Sequence, residues 1–347
     1  MADDSAFMRR IITDLLQSDP SIQVIATARD GADAVEKCLS LQPDVITLDV
    51  EMPNLDGYGA LRRIMAERPT PVVMVSSLTQ QGAEATIRAL ALGAVDFVPK
   101  PSGTISLNMH VARDELVAKV KAAARARPRF RQTLAEQPAR PRAAKPFWQQ
   151  SGSPSAALPR RLVVIGCSTG GPGALHQIVP HLPADLPAGV LVVQHMPPGF
   201  TGSLARRLDE ISAIAVKEAA AGDQVAPGLV LVAPGGYHMT VDAQGRIQLD
   251  QGPLLHGVRP AVDRTLASVV PLWRNRAVGV ILTGMGYDGA QGIRELKREG
   301  GHTIAEDAAT CVVYGMPRVV VEMGLADEVL PVQNIAAAVV RLVREGP

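Results

Sequence analysis

Short apolar runs alternate with amphipathic segments along the first third of the chain. The apolar runs predict strands over residues 22–28, 45–48, 71–76 and 94–98. Between and after them, apolar positions at helical spacing predict helices over residues 31–41, 57–67, 81–92 and 111–126. This alternation is typical of βαβ units, and it predicts a parallel sheet covered by helices.

The same alternation returns from Leu162 to Val343 and predicts a second α/β domain. The apolar runs 162–165, 189–194 and 278–282 each lead into a glycine-rich or polar segment. Residues 229–233 and 247–250 are expected to form additional, hairpin-like strands. The fold class expected for this half is a doubly wound, mostly parallel α/β domain.

Residues 122–160 separate the two halves. They are rich in Pro, Arg, Ala, Ser and Gln, and Glu136 is their only acid. Such a composition cannot bury a core and predicts a flexible, basic linker, with Phe147-Trp148 as the one patch suited to docking. The predicted organisation is a domain over residues 1–121, a linker over residues 122–160 and a second domain over residues 161–347.

Composition narrows the function classes. The chain has 347 residues, enough for two domains, and a formal net charge of +1 that gives no reason to expect nucleic-acid binding. Its three cysteines, Cys38, Cys167 and Cys311, lack metal-ligand spacing and fit a reducing cytoplasm. No apolar run reaches the ~20 residues of a membrane span, and the start lacks signal-peptide features. We therefore expect a cytoplasmic protein that does not insert into membranes, and we separately expect it to be a monomer.

Candidate catalytic side chains follow three apolar runs of the second half. Ser168 stands in a Gly-Cys-Ser-Thr-Gly turn, His195 follows the next run, and Asp288 lies in a later glycine-rich segment. Ligands bind outside the carboxyl ends of parallel strands, so we expect these side chains at one edge of the sheet. A serine is a poor nucleophile unless the backbone exposes it and a base reaches it, and this arrangement can supply both.

The order of these residues along the chain distinguishes classes of hydrolase. The α/β-hydrolases with a Gly-x-Ser-x-Gly turn run Ser, then Asp or Glu, then His. Here the order is Ser168, His195, Asp288, which disfavours the common lipase and esterase fold. Because a triad is defined by geometry, the roles can still be filled. The turn alone is also compatible with a tight turn that opens a helix at Pro172.

Two other classes of function compete with hydrolysis. Residues 284–289 spell Gly-x-Gly-x-x-Gly after a strand, with Glu306 and Asp307 about twenty residues on, as in a dinucleotide-binding oxidoreductase. Against this, Asp288 inside the loop would set a carboxylate beside the pyrophosphate, and Ser168 and His195 would be unexplained. The remaining alternative is a signalling adaptor whose second domain only binds its partner.

Polar residues also follow the strands of the first half. Asp3, Asp4 and Asp49 would repel one another unless a hard cation joined them, and Mg²⁺ prefers oxygen ligands. Ser76 and Lys100 each end a later strand. A metal, a hydroxyl and an ammonium around one carboxylate can stabilise a phosphoryl group transferred to it. Asp4 alone could equally be a helix N-cap.

These residues belong to a set of motifs that resembles a response-regulator receiver domain over about residues 1–121. The motifs are Asp3-Asp4-Ser5-Ala6-Phe7-Met8-Arg9, Asp49-Val50-Glu51-Met52-Pro53-Asn54-Leu55-Asp56-Gly57, Ser76-Ser77 and Phe97-Val98-Pro99-Lys100-Pro101. The resemblance implies a flavodoxin-like fold and phosphorylation of Asp49 by a chemotaxis histidine kinase. It also implies Mg²⁺ held by Asp3, Asp4, Asp49 and the carbonyl of Glu51. The implied switch residues are Ser76, Phe97 and Lys100.

One departure from the receiver pattern concerns the first strand. Receivers carry an apolar strand before the acid pair, whereas only Met1 and Ala2 precede Asp3 here. That strand is central in the flavodoxin-like order, so its neighbours would lose a shared partner. We expect the physiological protein to begin upstream, and this chain to have a loosened receiver with weak Mg²⁺ affinity and little phosphorylation of Asp49.

The motifs of the second half resemble the chemotaxis protein-glutamate methylesterases over about residues 160–345. They are Ile165-Gly166-Cys167-Ser168-Thr169-Gly170-Gly171, Gln194-His195-Met196-Pro197, Val232-Ala233-Pro234-Gly235-Gly236-Tyr237-His238-Met239, Leu282-Thr283-Gly284-Met285-Gly286-Tyr287-Asp288-Gly289-Ala290 and Val313-Tyr314-Gly315-Met316-Pro317. The resemblance implies hydrolysis of glutamate methyl esters, and deamidation of particular glutamines, on methyl-accepting chemoreceptors. It implies no cofactor for the esterase, and activation by phosphorylation of the receiver.

The resemblance also assigns roles within the second site. Ser168 would attack the ester, His195 would carry the proton and Asp288 would hold the imidazole. The backbone N–H of Met285 would lie in the oxyanion hole, and Thr169 is a candidate either for orienting His195 or for packing within the turn. Other residues near the predicted loops carry weaker signals. His238 and His256 are expected to be structural or solvated, Arg259 is a candidate for holding the receptor segment or the site loops, and Cys167 is expected to pack.

Overall fold

The computed structural model describes residues 1–100, 106–126 and 158–345. The chain divides into two compact units, Met1–Glu136 and Gln137–Pro347. Most of the predicted linker, including Phe147 and Trp148, lies outside the described residues. None of the described helices has the length and apolar character needed to cross a bilayer.

The first unit contains a sheet of three parallel strands in the order β1-β2-β3, packed against helices. The strands are β1 (Ile46–Asp49), β2 (Val72–Ser76) and β3 (Asp96–Pro99). The helices are α1 (Ala6–Gln17), α2 (Gly31–Leu41), α3 (Gly57–Glu67), α4 (Gln80–Leu92) and α5 (Ser106–Ala124). Asp30, Asp56 and Thr79 cap α2, α3 and α4 by accepting a backbone N–H in the first turn, which fixes where these helices begin.

Residues 22–28 do not form the strand that their apolar pattern predicts. Ala2 bridges this segment to β1: its N–H donates to Thr47 O at 2.8 Å, while the N–H of Ala28 donates to Met1 O at 2.8 Å. A cavity of about 420 Å³ lies next to Met1, between residues 22–28 and residues 43–47. A strand needs partners for its backbone groups, and the short piece of chain that lies between these two segments supplies few of them.

The α-amino group of Met1 borders this cavity and donates to Ala26 O at 3.0 Å. Burial, and then the charge of Lys37, lowers the pKa of this amine from 8.0 to about 6.

The second unit contains seven parallel strands in the order β12-β11-β10-β4-β5-β7-β6, and a separate antiparallel pair, β8-β9. The strands are β4 (Arg161–Cys167), β5 (Ala188–Gln194), β6 (Ala215–Glu218), β7 (Leu229–Val232), β8 (His238–Val241), β9 (Ile247–Asp250), β10 (Ala277–Ile281), β11 (His302–Glu306) and β12 (Glu328–Leu330). The main helices are α6 (Gly171–Ile178), α7 (Phe200–Ile211), α8 (Val262–Trp273), α9 (Ala290–Arg298), α10 (Met316–Glu322) and α11 (Val332–Glu345).

The direction of chain progression reverses at β4. After β4 the chain adds β5, β6 and β7 on one side, then returns to the other side to add β10, β11 and β12. Crevices that bind ligands form at such a switch point, outside the carboxyl ends of the strands. The fold therefore places the segment after β4, which contains Ser168, where a site is expected.

Two details of the second unit differ from or extend the sequence pattern. The prediction of a hairpin-like strand at residues 229–233 is wrong, because β7 lies in the parallel sheet between β5 and β6. All four residues of β7 are buried, as is typical of an inner parallel strand. Near the end of the predicted linker, Pro159 O accepts the indole N–H of the buried Trp273 at 2.8 Å, and Leu158 packs against the core.

The cavity beside Met1 can be tested by filling it. A chain extended before Met1 by about five alternating apolar residues is expected to pair residues 22–28 with β1 through the new segment. Because each buried apolar side chain contributes about 1.5–3 kcal/mol, the first unit should unfold at least ~5 °C higher by calorimetry. Amide exchange should slow over residues 22–28. An extension of equal length made of Gly and Ser is the control, and equal unfolding temperatures for the two extensions would contradict the expectation.

Candidate active site

Ser168 and His195 lie at the ends of neighbouring strands. The parallel register pairs Cys167 with Gln194, the last residues of β4 and β5. The N–H of His195 donates to Cys167 O, and that of Ser168 to Thr283 O, each at 3.1 Å. The ends of β4, β5 and β10 therefore meet at the switch point, and Ser168, at the end of β4, lies between the ends of β5 and β10.

Asp288 reaches the same place from the loop between β10 and α9. Its Oδ2 accepts from Nε2 of His195 at 2.7 Å and from the N–H of Val262 at 2.6 Å. Its Oδ1 accepts from the N–H of Asp263 at 3.0 Å. These two N–H groups begin α8, so the positive end of that helix faces the carboxylate. With Nε2 of His195 donating to Asp288, Nδ1 is the ring nitrogen that can accept a proton.

The environment keeps Asp288 ionised. Burial would raise the pKa of Asp288, but the hydrogen bond and charge of His195 and the N–H groups of Asp263 and Val262 outweigh it and hold that pKa below its usual range. A carboxylate in this state can fix the tautomer of His195 and stabilise an imidazolium. In contrast, burial raises the pKa of the Cys167 thiol, so the residue preceding Ser168 is not an activated thiolate.

The loop after β10 also touches the Ser168 turn. A Cβ on Gly284 would lie 2.9 Å from Ser168 Cβ, so only glycine allows this approach. The next residue is Met285, whose side chain is exposed and whose backbone was predicted to face the oxyanion. The hydroxyl of Thr283 donates to Thr169 O at 3.0 Å, which ties the loop to the buried Thr169.

The sequence pattern did not single out Gln194. Its side chain is buried, and Nε2 donates at 3.0 Å to both Ser168 O and His195 O. A single amide thus joins the main chains of the nucleophile and the base. The available signal was a polar residue that ends an otherwise apolar strand immediately before His195.

The dinucleotide-binding hypothesis placed the ribose-binding acid at Glu306 or Asp307. Glu306 is instead buried, with its oxygens accepting from the N–H of Thr283 at 2.8 Å and the hydroxyl of Thr310 at 2.9 Å. Asp288, inside the glycine-rich loop, bonds to His195 and α8. Glu306 and Asp288 therefore both bond to groups within the protein, which the dinucleotide-binding hypothesis does not explain.

Three further residues have defined positions. His238 is buried with Nε2 2.9 Å from Pro253 O, which fits the structural role expected for it. Arg259 donates to the carbonyls of Gln251 and Gly252 and so holds the segment that follows β9. His256 is not isolated, since its Nε2 lies 2.9 Å from Oδ2 of Asp263.

The first unit has a second cluster of charged groups. Nζ of Lys100 lies 2.7 Å from Oδ2 of Asp49 and 3.0 Å from Oδ2 of Asp3, and both acids are buried. Burial raises the pKa of Asp49 to about 6; Lys100 opposes this shift, and the charge of Asp3 adds to it. One ammonium thus faces two buried carboxylates.

The donor set of this cluster fits a hard cation. Carboxylate oxygens of Asp3, Asp4 and Asp49 lie within 4.8 Å of one another, and Asp4 and Glu51 line one shallow depression. Excess negative charge and oxygen donors are what Mg²⁺ requires. The predicted switch residues are nearby in the fold: Ser76 ends β2, Lys100 follows β3 and its N–H donates to Ser76 O at 2.7 Å, and Phe97 is buried within β3.

The two units therefore define a class of two-domain protein. One α/β domain has an acid cluster suited to accepting a phosphoryl group, and the other has a Ser, His and Asp cluster at the switch point of its sheet. Residues 163–339 match the family model described as CheB methylesterase, and residues 1–112 match the response regulator receiver domain. A protein-glutamate methylesterase/protein-glutamine glutaminase of Symbiobacterium thermophilum is 72% identical, covering 100% of this chain and 97% of that protein. One of Thermotoga maritima is 48% identical, covering 99% of this chain and 97% of that protein.

Structure comparison agrees with these matches. The crystal structure of the Thermotoga maritima CheB methylesterase catalytic domain is 50% identical, covers 52% of this chain and 98% of that chain, and superposes with a TM-score of 0.52. The chain belongs to the CheB methylesterase family and combines its catalytic domain with a response regulator receiver domain.

The role of Gln194 can be tested by replacing it with methionine, which keeps the length but removes both donors. We expect kcat for ester hydrolysis to fall about 10²-fold with little change in KM, because small displacements of a nucleophile and base are costly. Gln177→Met, which removes a similar amide bond to Gly173 O on α6, is the matched control. A kcat within twofold of wild type for Gln194→Met would show that the amide is dispensable.

Proposed function

We propose that this chain demethylates glutamate methyl esters on methyl-accepting chemoreceptors and deamidates particular receptor glutamines, with Ser168 as the nucleophile. The observation that carries the proposal is the 2.7 Å bond between His195 and an ionised Asp288, beside Ser168 on the neighbouring strand. The names of the relatives support the same substrate chemistry.

The mechanism follows from the orientation of His195. Nδ1, the nitrogen not engaged by Asp288, takes the proton as Ser168 Oγ attacks the carbonyl carbon, and the backbone N–H of Met285 stabilises the oxyanion. His195 then protonates the leaving methanol, or ammonia from a glutamine. Water, with His195 again as base, hydrolyses the acyl-enzyme to release glutamate and regenerate Ser168. The Asp288 carboxylate offsets the imidazolium charge in both steps.

We further propose that the receiver controls this activity through Asp49. Asp3, Asp4, Asp49 and the Glu51 carbonyl would hold Mg²⁺, which supplies positive charge for the phosphoryl oxygens when bound. A chemotaxis histidine kinase would be the phosphodonor. Lys100, which now pairs with Asp49, would pair with a phosphoryl oxygen, and Ser76 and Phe97 would respond to the new charge.

Removing the nucleophile tests the catalytic assignment. Ser168→Ala should lower kcat for methanol release from methylated receptors by about 10⁴–10⁶ while leaving the unfolding temperature unchanged. Ser212→Ala is the control, because the Ser212 hydroxyl is buried and finds no hydrogen-bond partner in the described part of the chain. Activity of Ser168→Ala within tenfold of wild type would sink the assignment. Receptor binding without methanol release by wild type would point to the adaptor.

Separating the two units tests whether the receiver regulates the catalytic unit. A fragment starting at Leu158, which keeps the contacts of Leu158 and Pro159 with the second unit, should release methanol faster than the unphosphorylated full chain. The expected ratio is about 5–150-fold, the usual range for coupled sites. Because little phosphorylation of Asp49 is expected in this chain, Asp49→Asn is compared in a chain extended before Met1, where it should prevent activation by a small phosphodonor with Mg²⁺. A fragment slower than the unphosphorylated full chain would overturn inhibition by the receiver.

A further inference from the structure

A second imidazole–carboxylate pair lies beside the triad acid. Nε2 of His256 is 2.9 Å from Oδ2 of Asp263. A ring nitrogen of His256 and carboxylate oxygens of Asp263 and Asp288 all lie within 4.8 Å of one another. Both acids are buried. Two neighbouring buried carboxylates are costly to ionise unless positive groups face them, and the hydrogen bond of His195 goes to Asp288.

Asp263 is held in this position from two directions. Its Oδ1 accepts the N–H of Gly292, in the first turn of α9, at 2.7 Å, while its own N–H donates to Asp288. Burial raises the pKa of Asp263, the Gly292 N–H opposes this, the charge of Asp288 adds to it, and His256 again lowers it. These two bonds hold the carboxylate beside Asp288, where a charge on it would act on the triad.

His256 faces this pair and also reaches the surface. Its side chain is 24% exposed and therefore in contact with solvent. The titratable groups that face it are Asp263 from α8 and Tyr287 and Asp288 from the catalytic loop. The Tyr287 ring packs edge-on against the imidazole, with 4.7 Å between the ring centroids.

We propose that His256 is a positioning residue that supplies positive charge to the Asp263–Asp288 pair and so sets the pH range in which His195 acts as a base. The inference rests on the proposed hydrolysis by Ser168. Without the charge on His256, the negative charge of Asp263 favours protonation of His195, and the enzyme loses its base at a higher pH. Without the charge on Asp263, protonation of His195 becomes harder and the base survives to a lower pH.

The experiment measures kcat/KM for methyl ester release against pH with the full-length chain. His256→Gln keeps a hydrogen-bond donor but removes the charge, and its acid limb should move up by about 0.5–1 pH unit. Asp263→Asn should move the limb down by a similar amount. His256→Lys, which carries a permanent charge, should not move it up. His181→Gln is the control, since His181 is exposed and its Nδ1 bonds to Gln177 O, next to α6.

The outcomes separate this inference from the proposed function. A wild-type chain without Ser168-dependent methanol release would defeat the proposed function itself. A wild-type chain that is active, with the limb of His256→Gln unmoved or moved equally by His256→Lys, would overturn the charge role alone. A lower kcat with an unmoved limb would mean that His256 only packs against Tyr287. Calorimetry checks that each variant folds, and if Asp263→Asn does not, the two His256 variants still decide between these outcomes.

Discussion

The catalytic unit depends on how it compensates one buried charge, the carboxylate of Asp288. A carboxylate in this position would take up a proton unless donors surrounded it, and a protonated acid could not hold His195. Two N–H groups at the start of α8 and the imidazole of His195 provide that compensation. The placement of α8 against the loop after β10 is therefore a requirement of the chemistry as well as of packing.

That requirement extends to a neighbouring acid. The helix end that stabilises Asp288 also carries Asp263, whose N–H is a donor but whose carboxylate is a second negative charge. The N–H of Gly292 donates to this carboxylate, and His256 pairs with it. The site is thus a network in which each acid has an imidazole and a helix N-terminus. A change at one member alters the charge felt by the others.

In the receiver, the compensation of buried charge is less complete. A single ammonium, that of Lys100, pairs with both Asp3 and Asp49, and the raised pKa of Asp49 reflects its burial and the charge of Asp3. The sheet also lacks backbone hydrogen bonds. Ala2 bridges residues 22–28 to β1, but the cavity beside Met1 leaves the rest of residues 22–28 without a strand to pair with. A strong strand pattern is therefore insufficient where the partner strand is short.

The local pattern of apolar and capping residues predicts much of the fold. Helices over residues 31–41 and 57–67 begin and end where predicted, because caps and apolar spacing act within a few residues. Ser168, His195 and Asp288 were predicted to meet because parallel strands end at a common edge. The tertiary structure alone decided that Nε2 of His195 faces Asp288, that Gln194 joins nucleophile and base, and that His256 lies beside the acids. The contacts of His195 and His256 with Asp288, and of Gln194 with Ser168, join segments far apart in the chain, and only packing of the strands and helices fixes their distances.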